Sequence, residues 1–328
     1  MPNLSRATVD RLIAPGPRLP WIQEWLLGSV WTGKRYDELG PVSYLERGER
    51  EVNDLEEMLA AAAPRVYDEL VDAPAPDRDV RGFLEGPTPS AVVVFDGMSV
   101  REIPVVLKLA ARSGLSVKET GAALAGTPSE TVQFVEQRLN AGRTSPSQLP
   151  TRRDLKERGV VTYYYDNPNQ RHRLDASARA LLLWSSFPDQ TYKDSGARFA
   201  QHFEQIHAML ETAWLNTVQQ VPTGRTILVT SDHGYVYFGA GMSFSRGNPA
   251  LRPLTAWLGG ERSHALDGAD NPPEHPDLAI LRHAGVAMIR GRVQTHPSGQ
   301  SANKLYKHGG LSLMEMLCPW IMLERRGS

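Results

Sequence analysis

Three stretches of the 328-residue chain join an apolar run to side chains that can do chemistry. In Thr226-Ile227-Leu228-Val229-Thr230-Ser231-Asp232-His233-Gly234 a strand delivers a carboxylate and an imidazole side by side on a tight turn, and the glycine lets the backbone come close to a bound ion. The run Val92-Val93-Val94-Phe95 ends in the same manner, in Asp96-Gly97. Further on, His308-Gly309-Gly310 precedes Ser312 and Glu315, whose Ser-x-x-Glu spacing is that of a helix-capping box, so His308 belongs to a pinned loop. Singly, each is ordinary: an Asp-His turn, a strand end, a cap. Together they matter, because Asp96, Asp166, Asp189 and Asp232 each stand at or shortly after the end of an apolar run. Unpaired carboxylates brought to one edge repel one another unless a cation neutralises them. The chemistry such a set implies is that of a divalent metal with oxygen and nitrogen ligands.

Four apolar runs must position these groups: 91–95, 160–165, 180–184 and 226–230. Their apolar character is continuous rather than alternating, which marks strands covered on both faces. Helical spacing lies between them, at Val106, Leu107 and Leu109, at Val132, Val135 and Leu139, and at Phe199, Phe203, Ile206 and Leu210. This order predicts an α/β fold, doubly wound, with a mostly parallel sheet and helices on both faces. In such sheets ligands bind beyond the carboxyl ends of the strands, where the acidic residues stand. Before it, Trp21, Ile22, Trp25, Leu26, Val52, Leu55, Leu59, Val66 and Leu70 recur at helical intervals. We therefore expect a helical N-terminal segment over 1–88 and the α/β domain over 89–328, with a Gly- and Pro-rich loop insertion near 240–278. Within that insertion His264 and His275 read as solvated loop residues.

Composition narrows the class of partner. Lys and Arg total 36 against 37 for Asp and Glu, so no global field draws the chain to nucleic acid or to an anionic membrane. Local positive charge gathers at Arg152, Arg153, Lys156, Arg158, Arg171 and Arg173, where phosphates of a polynucleotide could be met, although such residues beside a strand are also simply solvated. Tyr163, Tyr164 and Tyr165 read as core rather than as base-stacking residues. The single cysteine, Cys318, reads as a small buried apolar residue and fits a reducing compartment. No apolar leader opens the chain, and its longest apolar run, around Met316 to Leu323, is interrupted by Pro319. The expectation is a cytoplasmic protein with no membrane partner.

The succession apolar-Asp96-Gly97, then Thr230-Ser231-Asp232-His233-Gly234, then His308-Gly309-Gly310-Leu311-Ser312-Leu313-Met314-Glu315-Met316, resembles the alkaline phosphatase superfamily. Within it the sequence is most similar to the PglZ domain family, the phage growth limitation component Z of bacterial defence systems. The resemblance covers about residues 90 to 325. It implies an alkaline-phosphatase-like fold and a metal-dependent phosphoester hydrolase, a phosphodiesterase with nuclease action in its range, working on a phosphodiester or nucleotide. It also implies protein partners in a defence or signalling complex. By the same resemblance Asp96, Asp232 and His233 match the ligands of one metal, usually zinc, and Asp189 and His308 those of a second. The segment Pro188-Asp189-Gln190-Thr191-Tyr192-Lys193-Asp194 departs from the family pattern, because Lys193 stands where many relatives have a histidine and a charged ammonium cannot ligate. Either Asp194 takes its place, or another group does, or the second site is weak. In that family the nucleophile is a Thr or Ser, and Thr127-Pro128-Ser129-Glu130-Thr131 resembles its Pro-Ser-x-Thr turn, which makes Thr131 the first candidate, with Ser129 and Thr127 after it. Ser129 or Thr131 could equally cap the helix that follows. The alternative to an active hydrolase is a catalytically weakened phosphatase fold serving as scaffold or effector subunit, for which Lys193 is the argument.

Overall fold

Runs that are apolar at every position can only be buried if both faces of their sheet are covered. The computed structural model describes residues 10–11, 14, 16–72, 78–192, 199–238, 251–281, 284–293 and 306–325. In chain order the strands are β1 (Ser90–Phe95), β2 (Leu115–Leu124), β3 (Val160–Tyr165), β4 (Ala180–Ser185), β5 (Thr226–Thr230), β6 (Val236–Tyr237), β7 (Ser263–Ala265), β8 (Leu278–Leu281), β9 (Val286–Ile289), β10 (Tyr306–Lys307) and β11 (Leu317–Arg325). Six of them form the central sheet in the order β2-β11-β5-β1-β4-β3. The neighbours β5, β1, β4 and β3 are parallel, while β11 is antiparallel to both β5 and β2. The sheet is therefore mostly parallel, as expected.

Its two faces carry separate cores. Ala91, Val93 and Phe95 of β1 pack on one side with Leu181, Leu183, Ile227 and Val229, under Val52, Val106, Phe203 and Ile206 of three helices. Val92 and Val94 point the other way with Leu182, Trp184 and Leu228, under Val80, Leu84, Phe134, Val135 and Leu155. Alternation across the pleat thus explains why no polar residue interrupts these strands.

Two central-sheet strands escaped the sequence reading. The β2 sequence Leu-Ser-Val-Lys-Glu-Thr-Gly-Ala-Ala-Leu mixes exposed and part-buried positions from Ser116 to Thr120 because it lies at the sheet edge. In β11, Pro319 argues against a central strand, since it has no N–H to donate. It is tolerated because pairing with β5 begins only at Trp320, opposite Thr230, so on that side Pro319 lies past the end of the ladder. Cys318 is a buried free thiol, as its neighbours imply.

The N-terminal segment is helical, with helices at Leu19–Trp25, Gly33–Ala62, Val66–Asp72 and Val80–Glu85. The long helix kinks at Gly40-Pro41, where Gly40 has φ 72° and Pro41 cannot continue the ladder. Its inner face carries two buried carboxylates. Glu49 binds Arg101 and, at 2.7 Å, Arg292; Glu56 accepts from Arg292 at 2.7 Å and from the Leu313 amide at 2.7 Å. Burial alone would raise the Glu49 carboxyl, but the two guanidiniums outweigh it and hold it below its ordinary value.

The stretch expected as an aperiodic insertion near 240–278 is only partly so. From Arg252 to Leu258 it is helical, and β7 within it joins β9 and β8, which lie at and beyond its end, in a small antiparallel sheet. Leu251, Leu254, Leu258, Leu278, Ala287, Ile289 and Val293 give this layer its own core. Short strands separated by polar turns hide the pattern in the sequence. Among the described residues no helix is long and apolar enough to cross a membrane.

His207, on the helix Phe199–Asn216, is 9% exposed and meets the Tyr36 hydroxyl at 2.8 Å. Burial, reinforced by Lys108, lowers its pKa from 6.5 to about 4. Between those values the unfolded chain binds a proton that the folded chain refuses. The stabilisation is complete above pH 6.5 and is lost as pH falls towards 4, about 3 kcal/mol in all. Urea unfolding at about pH 7 and about pH 4.5 should show this loss, and in H207Q the decline between the two should be smaller by about 2 kcal/mol.

Candidate metal centre

The sheet topology brings one end of every contributing strand to the same edge. Phe95 pairs with Ser185 and Val94 with Thr230, so the residues just beyond β1, β4 and β5 emerge together: Asp96, Asp189, Asp232 and His233. Because β11 runs antiparallel, its beginning lies at this edge and carries the preceding His308 turn with it. At that end Leu124 of β2 pairs with Leu317, and the chain beyond β2 leads to Thr131. The two strands missed in the sequence therefore deliver the residues most distant in it.

Local bonds fix the turns. Ser231 Oγ donates to the Phe95 carbonyl at 2.7 Å, joining the ends of β5 and β1. The Asp189 amide donates to the Asp96 carbonyl at 2.9 Å, and the Gly97 amide to Asp232 Oδ1 at 3.0 Å. Gly97 has φ 72°, and a Cβ there would come within 3.0 Å of the Asp189 Cβ. At Gly234 a Cβ would stand 2.1 Å from the Met314 carbonyl oxygen, so only glycine lets this turn close against the short helix Leu313–Met316.

Two overlapping clusters result. One ligand atom from each of Asp96, Asp232 and His233 lies within 4.8 Å of the others, and the same holds for Asp189, His233 and His308. The His233 and His308 rings stack, with centroids 3.9 Å apart. His233 Nδ1 faces the Gly234 carbonyl at 2.9 Å and His308 Nδ1 the Ser129 carbonyl at 3.1 Å. Each ring thus has Nδ1 occupied, and each turns Nε2 inward, 3.6 Å from Asp96 and Asp232 in one case and 3.7 Å from Asp189 in the other. Trp184 donates to Asp96 Oδ2 at 3.2 Å, while Asp96 Oδ1 is buried with no hydrogen-bond partner. Burial, then the charges of Asp232 and Asp189, push the Asp96 carboxyl well above the carboxylate range. For His233 burial works against the charged form, but Asp232, Asp96 and Asp189 outweigh it and hold the imidazole at about 9. An orphaned carboxylate oxygen, mutually repelling carboxylates and two inward Nε2 atoms are a donor set that fits a divalent cation.

The hydroxyl candidates separate clearly. Thr131 Oγ1 donates to Asp232 Oδ2 at 2.7 Å and lies 3.4 Å from His233 Nε2. Ser129 faces away: its Oγ donates to the Gly310 carbonyl at 3.0 Å and accepts from the Gly309 amide at 2.9 Å, clamping the His308 turn. Thr127 is held through its backbone by Gln137, at 2.8 and 2.7 Å. Neither Ser129 nor Thr131 caps the helix that follows, whose N-cap is Glu130, without a side-chain bond. Asp166 is exposed and stays outside both clusters. Asp194 and Lys193 lie outside the described residues.

The expected capping box is present at Ser312 and Glu315, and Glu315 does more than cap. It accepts from the Gly310 and Ser312 amides at 3.0 and 3.1 Å and receives two bonds from buried Arg262, at 2.6 and 2.9 Å. Arg262 also donates to the carbonyls of Gly291 and Val293, each at 2.6 Å. No local pattern around Arg262 foretells this role. Of the basic residues weighed for nucleic acid, Arg152 is paired with Asp154, Arg158 with Glu85, and Arg171 bonds Asn216, while Arg153, Lys156 and Arg173 are exposed. Residues 152–158 lead into the start of β3, at the sheet edge opposite the clusters.

No known protein-family profile matches the sequence, and no curated protein does. Among solved structures the chain is similar to murine ectonucleotide pyrophosphatase / phosphodiesterase 5 in an inactive form in complex with AMP, with a TM-score of 0.41 and 13% identity over 72% of this chain and 87% of that one. The human protein of the same name gives 0.41 and 11% over 72% and 87%. Phosphonoacetate hydrolase from Sinorhizobium meliloti 1021, in complex with phosphonoacetate, gives 0.35 and 13% over 72% and 89%.

Two outcomes are expected. A divalent cation at about one hundred times its Kd should raise the unfolding free energy by about 2.7 kcal/mol, reversibly with a chelator, and D232N should abolish that gain in thermal melts. R262M leaves the buried Glu315 carboxylate unpaired and should cost about 3–5 kcal/mol in denaturant unfolding.

Proposed function

We propose that this chain is a metal-dependent phosphoester hydrolase of the alkaline phosphatase superfamily, in its PglZ branch, with Thr131 as nucleophile. The observation that carries the reading is the hydroxyl of Thr131, set against Asp232 and His233 where the two carboxylate–imidazole clusters overlap. Asp96, Asp232 and His233 would hold one ion and Asp189 and His308 a second, most often zinc in such a set of imidazole and carboxylate ligands. Metal ions bound there supply electrophilic stabilisation of phosphoryl charge and lower the pKa of a neighbouring hydroxyl.

In this reading Thr131 Oγ1 forms a bond to phosphorus as the bond from phosphorus to the alcohol oxygen breaks. The hydroxyl proton, already directed at Asp232 Oδ2, leaves along that hydrogen bond, and the departing alcohol oxygen ends protonated. Water then cleaves the phosphothreonine and restores the hydroxyl. Thr131 is the first residue of the helix Thr131–Arg138, whose unpaired amides favour a phosphoryl anion. Ser129, by clamping Gly309 and Gly310, acts as a positioning residue for His308. We further propose that residues 1–88 brace a catalytic domain over 89–328, and that the protein works in the cytoplasm, in a defence or signalling setting with protein partners.

Elemental analysis of the purified chain, coupled to hydrolysis of bis(p-nitrophenyl) phosphate, tests the reading. We expect one or two ions per chain and metal-dependent turnover, which T131A lowers by about 10³-fold or more while T127A changes it by less than about threefold. Turnover by T131A at the unaltered rate, or a metal-loaded chain with none, would sink it; the second result would favour a scaffold role.

A further inference from the structure

Between the helix Thr131–Arg138 and the small sheet of β7, β9 and β8 lies a cleft of about 520 Å³, within the range of small-molecule sites. We infer that it seats the organic arm of a phosphodiester, and that this arm is an uncharged hydrogen-bonding group, such as a nucleoside, rather than one bearing a second phosphate. The inference rests on the hydrolase reading above and gives its substrate class.

Position is the first argument. Glu130 lines the cleft and brings Oε2 to 3.7 Å from His308 Nδ1. Gly309, next in the chain, has its Cβ position 2.4 Å from Glu130 Oε1 and 3.6 Å from Ser263 Oγ, and Ser263 lines the cleft as well. The inner end of the cleft therefore abuts the His308 side of the metal centre. Thr131 lies between Glu130 and Val132, which both line the cleft, and the absence of a side chain at Gly309 makes room for the Glu130 carboxylate, whose Oε1 would stand 2.4 Å from a Cβ there.

Charge is the second. The lining carries two carboxylates, Glu130 and Glu136, and among its described residues Arg143 is the one cation, facing Glu136 at 3.8 Å. A second phosphate would meet like charge there and find no guanidinium that is not already matched. What the cleft does offer is an amide from Gln133, a hydroxyl from Ser263 and apolar surface from Val132 and Val286. That mixture suits a ring with hydroxyl or amide groups. A long polynucleotide is disfavoured on the same ground, since residues 152–158 stand at the other edge of the sheet.

The test uses the full chain loaded with zinc and three p-nitrophenyl diesters: thymidine 5′-phosphate, its 3′-phosphorylated form, and methyl phosphate. The nucleoside diester should exceed each of the others in kcat/KM by about tenfold. A265W and A284W, exposed positions whose enlarged side chains fill the cleft, should each lower the thymidine-to-methyl ratio by about tenfold at an unaltered melting temperature. E130Q/E136Q should raise the 3′-phosphorylated substrate relative to the nucleoside diester by about threefold. Turnover of all three with the thymidine-to-methyl ratio unmoved in both tryptophan variants overturns this inference alone, as does a wild-type preference for the 3′-phosphorylated diester. Hydrolysis of none overturns the hydrolase reading and this inference with it.

Discussion

Mutual repulsion among Asp96, Asp189 and Asp232 is the constraint around which the rest of the structure is arranged. Three carboxylates cannot be held this close in a largely dry site without something positive between them, and burial alone already drives Asp96 towards its neutral form. The chain concentrates them nonetheless, through parallel strands that end in step and backbone bonds that lock Gly97 to Asp232 and Asp189 to Asp96. Asp232, Asp96 and Asp189 in turn raise the pKa of His233 above its ordinary value, and Asp96 Oδ1 is left without a hydrogen-bond partner. A donor set that costs this much to assemble fits a divalent cation.

Holding the site falls to buried ion pairs one layer further out. Arg262 and Glu315 fix the Gly310 turn, and Ser129 fixes the same turn from the other side. Behind them Arg101, Glu49, Arg292 and Glu56 run from the first strand's turn to the long N-terminal helix and back to Leu313. Pairs with multiple hydrogen bonds between buried partners have narrow geometric tolerance, which is what positioning requires.

Much of this was legible beforehand because burial on both faces writes itself into strands as unbroken apolar runs. β1, β3, β4 and β5 could be read that way, and the acidic residues at the ends of β1 and β5, with Asp189 just past β4, followed from parallel order. β2 could not, since an edge strand mixes Lys118, Glu119 and Gly121 into its run, and β11 was disguised by Pro319. The resemblance to a known family named Thr131 and His308 without saying how they arrive; the antiparallel course of β11 supplies that. Arg262 had no local signal because its partners are tertiary. Of the small sheet beside the cleft, β7 falls in the stretch read as loop, because a strand of three residues carries too little periodicity.

The carboxylates that Glu49 and Glu56 contribute to the interior have a bearing on how such a protein can be rearranged. They enter from the helix Gly33–Ala62, yet Arg101, Arg292 and the Leu313 amide that they neutralise or satisfy belong to the sheet region. Grafting the sheet region onto another polypeptide without that helix would strand two guanidiniums in a dry interior, at several kcal/mol each. Shuffling of this fold is thereby limited to fragments that travel with their own leading helix, or to hosts that present two acids at the same depth.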